Sequence, residues 1–74
     1  MEKLIEILNR IKPEIDFTVS HNLVDKGMLD SIDIVTIVSE IETEYSIEIE
    51  PEEIDPDNFQ SAASMFEMIN KVMG

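Results

Sequence analysis

The pair Asp30-Ser31 sets a helix start near the middle of the chain, within the run Gly27-Met28-Leu29-Asp30-Ser31-Ile32-Asp33-Ile34-Val35. Asp30 is a favourable N-cap residue, and Asp33 stands three positions on, where a capping-box acid belongs. A helix that begins here must be covered by segments from both sides of the sequence. The arrangement also holds a single hydroxyl, that of Ser31, at the solvent-facing first turn, where a group can be attached.

The helix is expected to run to about Tyr45. Ile34, Val38, Ile41 and Tyr45 share one face and should point to the core, while Asp33, Thr36, Glu40 and Thr43 form an opposite, polar face. The β-branched residues Ile32, Ile34, Val35, Thr36, Ile37 and Val38 are mediocre helix formers, so a strand over 32–38 competes. The caps, and a 34/38/41/45 spacing that continues past the β-branched run, favour the helix.

Upstream, Leu4, Ile5, Leu8 and Ile11 recur at helical spacing over residues 2–12, and Pro13 stops the pattern. Residues 13–30 form a long connection containing Ile15, Phe17, Val19 and Leu23. An ordered connection of this length must be pinned by buried side chains, and Phe17 and Leu23 are the expected pins. Downstream, Ile47-Glu48-Ile49-Glu50 alternates like a short strand. Pro51 suits the first position of a short helix over 51–55, with Ile47, Ile49 and Ile54 as anchors. Asp55-Pro56-Asp57-Asn58 has turn chemistry. Ser61 caps a last helix that carries Ala62, Met65, Phe66, Ile69 and Val72 and ends at Gly74. The expected fold is all-α: a bundle of three main helices plus one short helix, forming a single domain over residues 1–74.

With 74 residues, one small domain buries only a modest fraction of its surface. There is no cysteine, hence no disulfide and no cysteine-based zinc site. No apolar run approaches the ~20 residues of a membrane span, and the N-terminus lacks the basic start and apolar block of a signal peptide. A cytoplasmic monomer without membrane insertion is expected. Seventeen acids against five bases give a net charge of −12. No Lys or Arg occurs between Gly27 and Asn70, where twelve acids lie. The net charge therefore belongs to the part that begins with Ser31. Such a field repels nucleic acid and anionic membranes and steers toward basic protein surfaces. An acidic surface that merely keeps the domain soluble would look the same.

Three roles compete for Ser31. It is a common residue type in a first helical turn and needs no further role there. A nucleophilic hydrolase would need a general base and an oxyanion hole. The single histidine, His21, has no clear orienting partner, no Gly-x-Ser-x-Gly elbow surrounds Ser31, and so short a chain can hardly enclose a substrate. The third role is covalent attachment of a prosthetic group. A phosphodiester on Ser31 would lie beside the free N–H groups at a helix N-terminus, where the helix dipole favours negative charge. Asp30 and Asp33 would oppose it, so they suit the cap or an incoming enzyme.

Here the residues resemble those of acyl carrier proteins, whose Asp-Ser-Leu-like triplet opens the second helix of a four-helix bundle. Leu29-Asp30-Ser31-Ile32-Asp33 stands at that place. The run Glu42-Thr43-Glu44-Tyr45-Ser46-Ile47-Glu48-Ile49-Glu50-Pro51-Glu52-Glu53-Ile54 resembles the family's passage from helix two to helix three. The resemblance implies a 4′-phosphopantetheine arm on Ser31, donated by coenzyme A through a phosphopantetheinyl transferase, with acyl or aminoacyl cargo held as a thioester. It implies a free-standing carrier and not an enzyme. The implied partners are loading ligases and synthases with basic surfaces, met by Asp30, Asp33, Val35, Ser39, Glu40 and Glu42. It also implies a cleft for the cargo, for which Val38, Ile41, Ile54, Phe59 and Ile69 are lining candidates and equally core residues.

The chain departs from the fatty-acid type at several positions. Ile32 replaces the usual leucine, Thr36 a usual glutamate, Ser39 and Glu40 usual apolar or small residues, and Tyr45-Ser46 a common Phe-Gly. The attachment chemistry is untouched by these changes. Fatty acid or polyketide synthesis, a D-alanyl or other aminoacyl pathway, and an acidic helical adaptor without covalent cargo all remain open. No segment fits a calcium-binding EF-hand loop, so no metal site is expected. His21 is read as a loop residue, and Met65 and Met68 as core filling.

Overall fold

A computed structural model describes residues 1–74, and three α-helices carry its fold: α1 (Glu2–Ile11), α2 (Ser31–Tyr45) and α3 (Ala62–Met73). Two short 3₁₀ turns, Pro51–Glu53 and Pro56–Phe59, join α2 to α3, and there is no strand. α1 buries Leu4, Ile7 and Leu8 on one stripe. It ends where the Lys12 amide donates to Leu8 O at 2.8 Å and Pro13 can offer no further donor. α1 runs antiparallel to α2. Lys3 Nζ, at the start of α1, donates to Glu44 O at 3.5 Å near the end of α2. Lys12 Nζ, just past α1, lies 3.3 Å from Asp33 Oδ2 in the first turn of α2.

α2 buries Ile37, Val38 and Ile41. Ile37 takes the inward position that the 34/38/41/45 stripe assigned elsewhere, while Ile34 and Tyr45 are half-buried at the edges of the core. α3 is capped by Ser61, whose Oγ accepts from the Ser64 amide at 3.1 Å, and it buries Ala62, Met65, Met68 and Ile69. Phe59, delivered by the second 3₁₀ turn, is fully buried with Leu4, Leu8, Leu23, Leu29, Ile37, Ile41, Met65 and Ile69 in one cluster. Full burial of each such side chain contributes about 1.5–3 kcal/mol.

The connection between α1 and α2 is pinned by Phe17 and Leu23, both buried, whereas Val19 is 72% exposed. Leu23 O accepts from the amides of Met28 and Leu29 at 2.9 and 3.2 Å, and Leu23 N donates to Gln60 O at 2.9 Å. The Gln60 side chain completes the fixation. Its Oε1 accepts from the amides of Val24 and Asp25 at 3.0 and 3.2 Å, and its Nε2 donates to Asp25 Oδ1 at 3.1 Å. Gly27, at φ 73°, supplies the left-handed residue that turns the chain toward α2.

Two expectations for residues 47–58 are corrected. Ile47–Glu50 is not a strand, because its amides bond to α2: Ile47 N donates to Glu42 O at 3.2 Å and Ile49 N to Glu42 Oε2 at 2.9 Å. The alternation reflects a segment lying on the bundle, with Ile49 buried and Glu48 and Glu50 outward. The short helix over 51–55 stops at Glu53, and residues 56–59 form a second 3₁₀ turn. Pro56 disfavours helical conformation at the residue before it. Asp55 is accordingly extended and caps the second turn, its Oδ1 accepting from Asp57 N at 2.9 Å. Ile54, expected as an anchor, is 39% exposed.

Candidate functional site

Ser31 is the first residue of α2, and its hydroxyl is exposed and bonds to no other group of the protein. The turn beneath it is held by a reciprocal cap: Asp33 N donates to Asp30 Oδ1 at 2.9 Å, and Asp30 N donates to Asp33 Oδ2 at 3.2 Å. Lys12 braces the cap from α1 and reaches Glu14 Oε2 at 3.4 Å as well. Its hydrogen bond to Asp33 is the main reason that the Lys12 ammonium holds its proton above the ordinary lysine range. The amides of Ser31 and Ile32 have no acceptor in the protein, so the helix end presents free donors beside the hydroxyl. An anionic substituent on that oxygen would meet donors and the positive end of the helix dipole.

A shallow groove of about 250 Å³ opens next to the hydroxyl, lined by Ser31, Ile34, Val35, Ile54 and Pro56. Of the residues expected to line a cargo cleft, only Ile54 borders it. Val38, Ile41, Phe59 and Ile69 lie in the core, at 7, 0, 0 and 0% exposure. Ile34, Val35 and Pro56 were not singled out as lining. Their role depends on the chain folding back along α2 after Tyr45, which no local pattern encodes.

The expected docking residues divide into two groups. Asp30, Val35 and Ser39 are exposed, Val35 at 66%. Asp33, Glu40 and Glu42 are engaged within the molecule. Asp33 serves the cap and Lys12, Glu40 Oε1 lies 3.4 Å from Arg10 Nη2, and Glu42 Oε2 holds the Ile49 amide. Arg10 also reaches Glu44 at 3.8 Å, and Lys3 stands over the Tyr45 ring at 5.0 Å. Every cation of α1 thus faces α2. Ile32, 76% exposed, was not named for this surface and stands with Val35 as an apolar ridge beside Ser31. His21 is exposed in the first connection. No group of His, Asp or Glu side chains is placed to hold a metal ion, and no helix is long and apolar enough to cross a membrane.

A family model described as "Phosphopantetheine attachment site" matches residues 1–69. No curated protein and no solved structure gives a significant match. Proteins of this family are non-catalytic carriers that bear a covalently attached 4′-phosphopantetheine and are loaded by phosphopantetheinyl transferases. With the match running over nearly the whole helical bundle, the chain belongs to the phosphopantetheine-attachment family, as a carrier of the acyl carrier protein type.

Proposed function

We propose that residues 1–74 work as one carrier domain and that Ser31 is the attachment residue. The observation that carries this reading is the exposed, unbonded hydroxyl at the first position of a doubly capped helix, beside two free amides. Those features suit a phosphodiester on Ser31 Oγ, with the amides of Ser31 and Ile32 facing its charge. The bound arm supplies a terminal thiol that holds an acyl or aminoacyl group as a thioester. The chain's own residues do the rest: the cap orients Ser31, the Gln60 contacts hold the preceding loop, and the exposed side of α2 with Asp30, Val35 and Ser39 meets the partner enzymes.

The cargo we favour is an intermediate of fatty acid, polyketide or related biosynthesis, delivered and removed by cytoplasmic ligases and synthases. The filled core at Val38, Ile41, Phe59 and Ile69, together with the shallow groove at Ile54, favours a short cargo kept outside the bundle. An aminoacyl group satisfies the same observations and is the second reading.

The test is intact mass before and after incubation with coenzyme A and a broad-specificity phosphopantetheinyl transferase. The wild-type chain is expected to gain one phosphopantetheine and Ser31→Ala none, with unchanged thermal stability because the hydroxyl bonds to nothing. A well-folded wild-type chain that gains nothing would leave an acidic adaptor without covalent cargo as the better account.

A further inference from the structure

The backbone of Lys12 is held from both sides. Its amide donates to Leu8 O at 2.8 Å, and its carbonyl accepts from the Ile15 amide at 3.1 Å. Pro13 follows and keeps Lys12 out of the helical region, at φ −133° and ψ 74°. From this fixed place the side chain crosses to the start of α2. Its Nζ lies 3.3 Å from Asp33 Oδ2 and 3.4 Å from Glu14 Oε2. Asp33 Oδ2 is also the atom that accepts from the Asp30 amide. Lys12, Asp33 and Asp30 are thus linked in sequence, and the linkage ends at the residue before Ser31. No other ion pair reaches the first turn of α2: Arg10 meets Glu40 and Glu44 further along, and Lys71 meets Glu53. The Lys12–Asp33 pair is also the more sheltered, with side chains 25% and 19% exposed against 59% and 41% for Arg10 and Glu40. Water and salt therefore screen it less.

We propose that Lys12 is a positioning residue for the loading of Ser31 and acts through Asp33; the proposal rests on Ser31 as the attachment residue. In loading, Ser31 Oγ bonds to the phosphorus that bears pantetheine in coenzyme A. Its proton passes to a base of the transferase, and the bond from that phosphorus to the departing adenosine 3′,5′-bisphosphate breaks. The oxygens on the attacked phosphorus carry negative charge throughout. Asp30 and Asp33 place two more negative charges at the same helix start. Lys12 does two things there. Its ammonium offsets the Asp33 charge that opposes the phosphate, and it fixes the carboxylate that holds the Asp30 amide, so the cap keeps the Ser31 hydroxyl in one direction. Both effects bear on the transfer itself. They should appear in kcat and leave KM for the carrier alone.

The experiment measures kcat and KM for loading by a broad-specificity phosphopantetheinyl transferase with coenzyme A, at a temperature where every variant is folded by circular dichroism. Lys12→Met keeps the length of the side chain and removes its charge. It is expected to lower kcat about fivefold, with KM for the carrier within about twofold of wild type. Lys12→Arg should restore kcat to within about twofold. In an Asp33→Asn background, Lys12→Met should change kcat by less than about twofold, because the residue it acts through is already neutral. Amide exchange of Asp30 in the unloaded chain supplies a readout that needs no transferase: it should quicken about threefold in Lys12→Met and not in Lys12→Arg. A Lys12→Met chain with wild-type kcat, or a loss that persists undiminished in the Asp33→Asn background, would overturn the proposal while wild-type loading still stands. A wild-type chain that is not loaded at all would remove Ser31 as the attachment residue and this proposal with it.

Discussion

Asp30 and Asp33 cap each other: each carboxylate accepts the other's amide, at 2.9 and 3.2 Å. The exchange satisfies two of the donors left free at a helix start and sets the orientation of the residue between them that carries the exposed hydroxyl. Asp33→Ala removes one of these bonds and the contact to Lys12. We expect it to cost about 1 kcal/mol in chemical denaturation, with the slope against denaturant unchanged. A variant as stable as wild type would show that the cap is dispensable.

Ser46 ends α2 in the left-handed region, at φ 54° and ψ 46°, with its amide donating to Glu42 O. A Cβ is unfavourable there and glycine is not. Ser46→Gly should stabilise the fold by about 0.5 kcal/mol, the relief of backbone strain exceeding the added freedom of the unfolded chain. Thermal melts of the two proteins decide it, and a lower midpoint for the glycine variant contradicts the argument.

Asp16 is held below the usual carboxylate range, first by the Thr18 hydroxyl and then by the Thr18 amide. A carboxyl depressed in the folded state contributes stability above its ordinary value and loses it as pH falls through the depressed one. Thr18→Val removes the hydroxyl alone. The Asp16 carboxyl should then titrate at higher pH, followed by its side-chain NMR resonances, and acid unfolding should begin earlier. An unmoved titration would mean that the amide alone sustains the shift. Lys12 works in the opposite direction. Its ammonium is raised by Asp33, so its contribution is present below the ordinary lysine value and is lost as pH climbs past the raised one.

The net charge of −12 should make stability rise with salt, because screening weakens repulsion among carboxylates that have no cation nearby. The paired acids beside α1 work against this trend, since salt also weakens their attraction. Glu48→Gln/Glu50→Gln/Glu52→Gln should melt about 5 °C higher than wild type at low salt, equivalent to about 1 kcal/mol. It should also gain less from added salt. Equal salt responses in the two proteins would place the repulsion elsewhere.

Features set by neighbouring residues were legible in the sequence. Asp30 and Asp33 form the cap expected of them, Pro13 lies just past α1, and Ser61 starts α3. Phe17 and Leu23 were identifiable as pins because a long ordered connection needs buried side chains. Features that depend on where distant segments come to rest were not legible. Ile47–Glu50 alternates as a strand does, yet its amides were claimed by Glu42. Val38 and Ile54 read alike as apolar residues, but only Ile54 borders the groove beside Ser31. Glu40 and Glu48 are both glutamates of an acidic run, and only the position of Arg10 distinguishes them.

The loop that leads to Ser31 is closed by a side chain 35 residues further on, because Gln60 holds the amide and carboxylate of Asp25. During synthesis the serine therefore appears well before the residue that fixes the loop ahead of it. At about 5–20 residues per second, the stretch from Ser31 to Gln60 takes about 1.5 to 6 seconds. For that time a nascent chain exposes the hydroxyl on an unfinished surface, without the second flank of α2. An enzyme that recognises the folded surface would act only after Gln60 has been made, so the order of synthesis itself would keep unfinished carriers from being loaded.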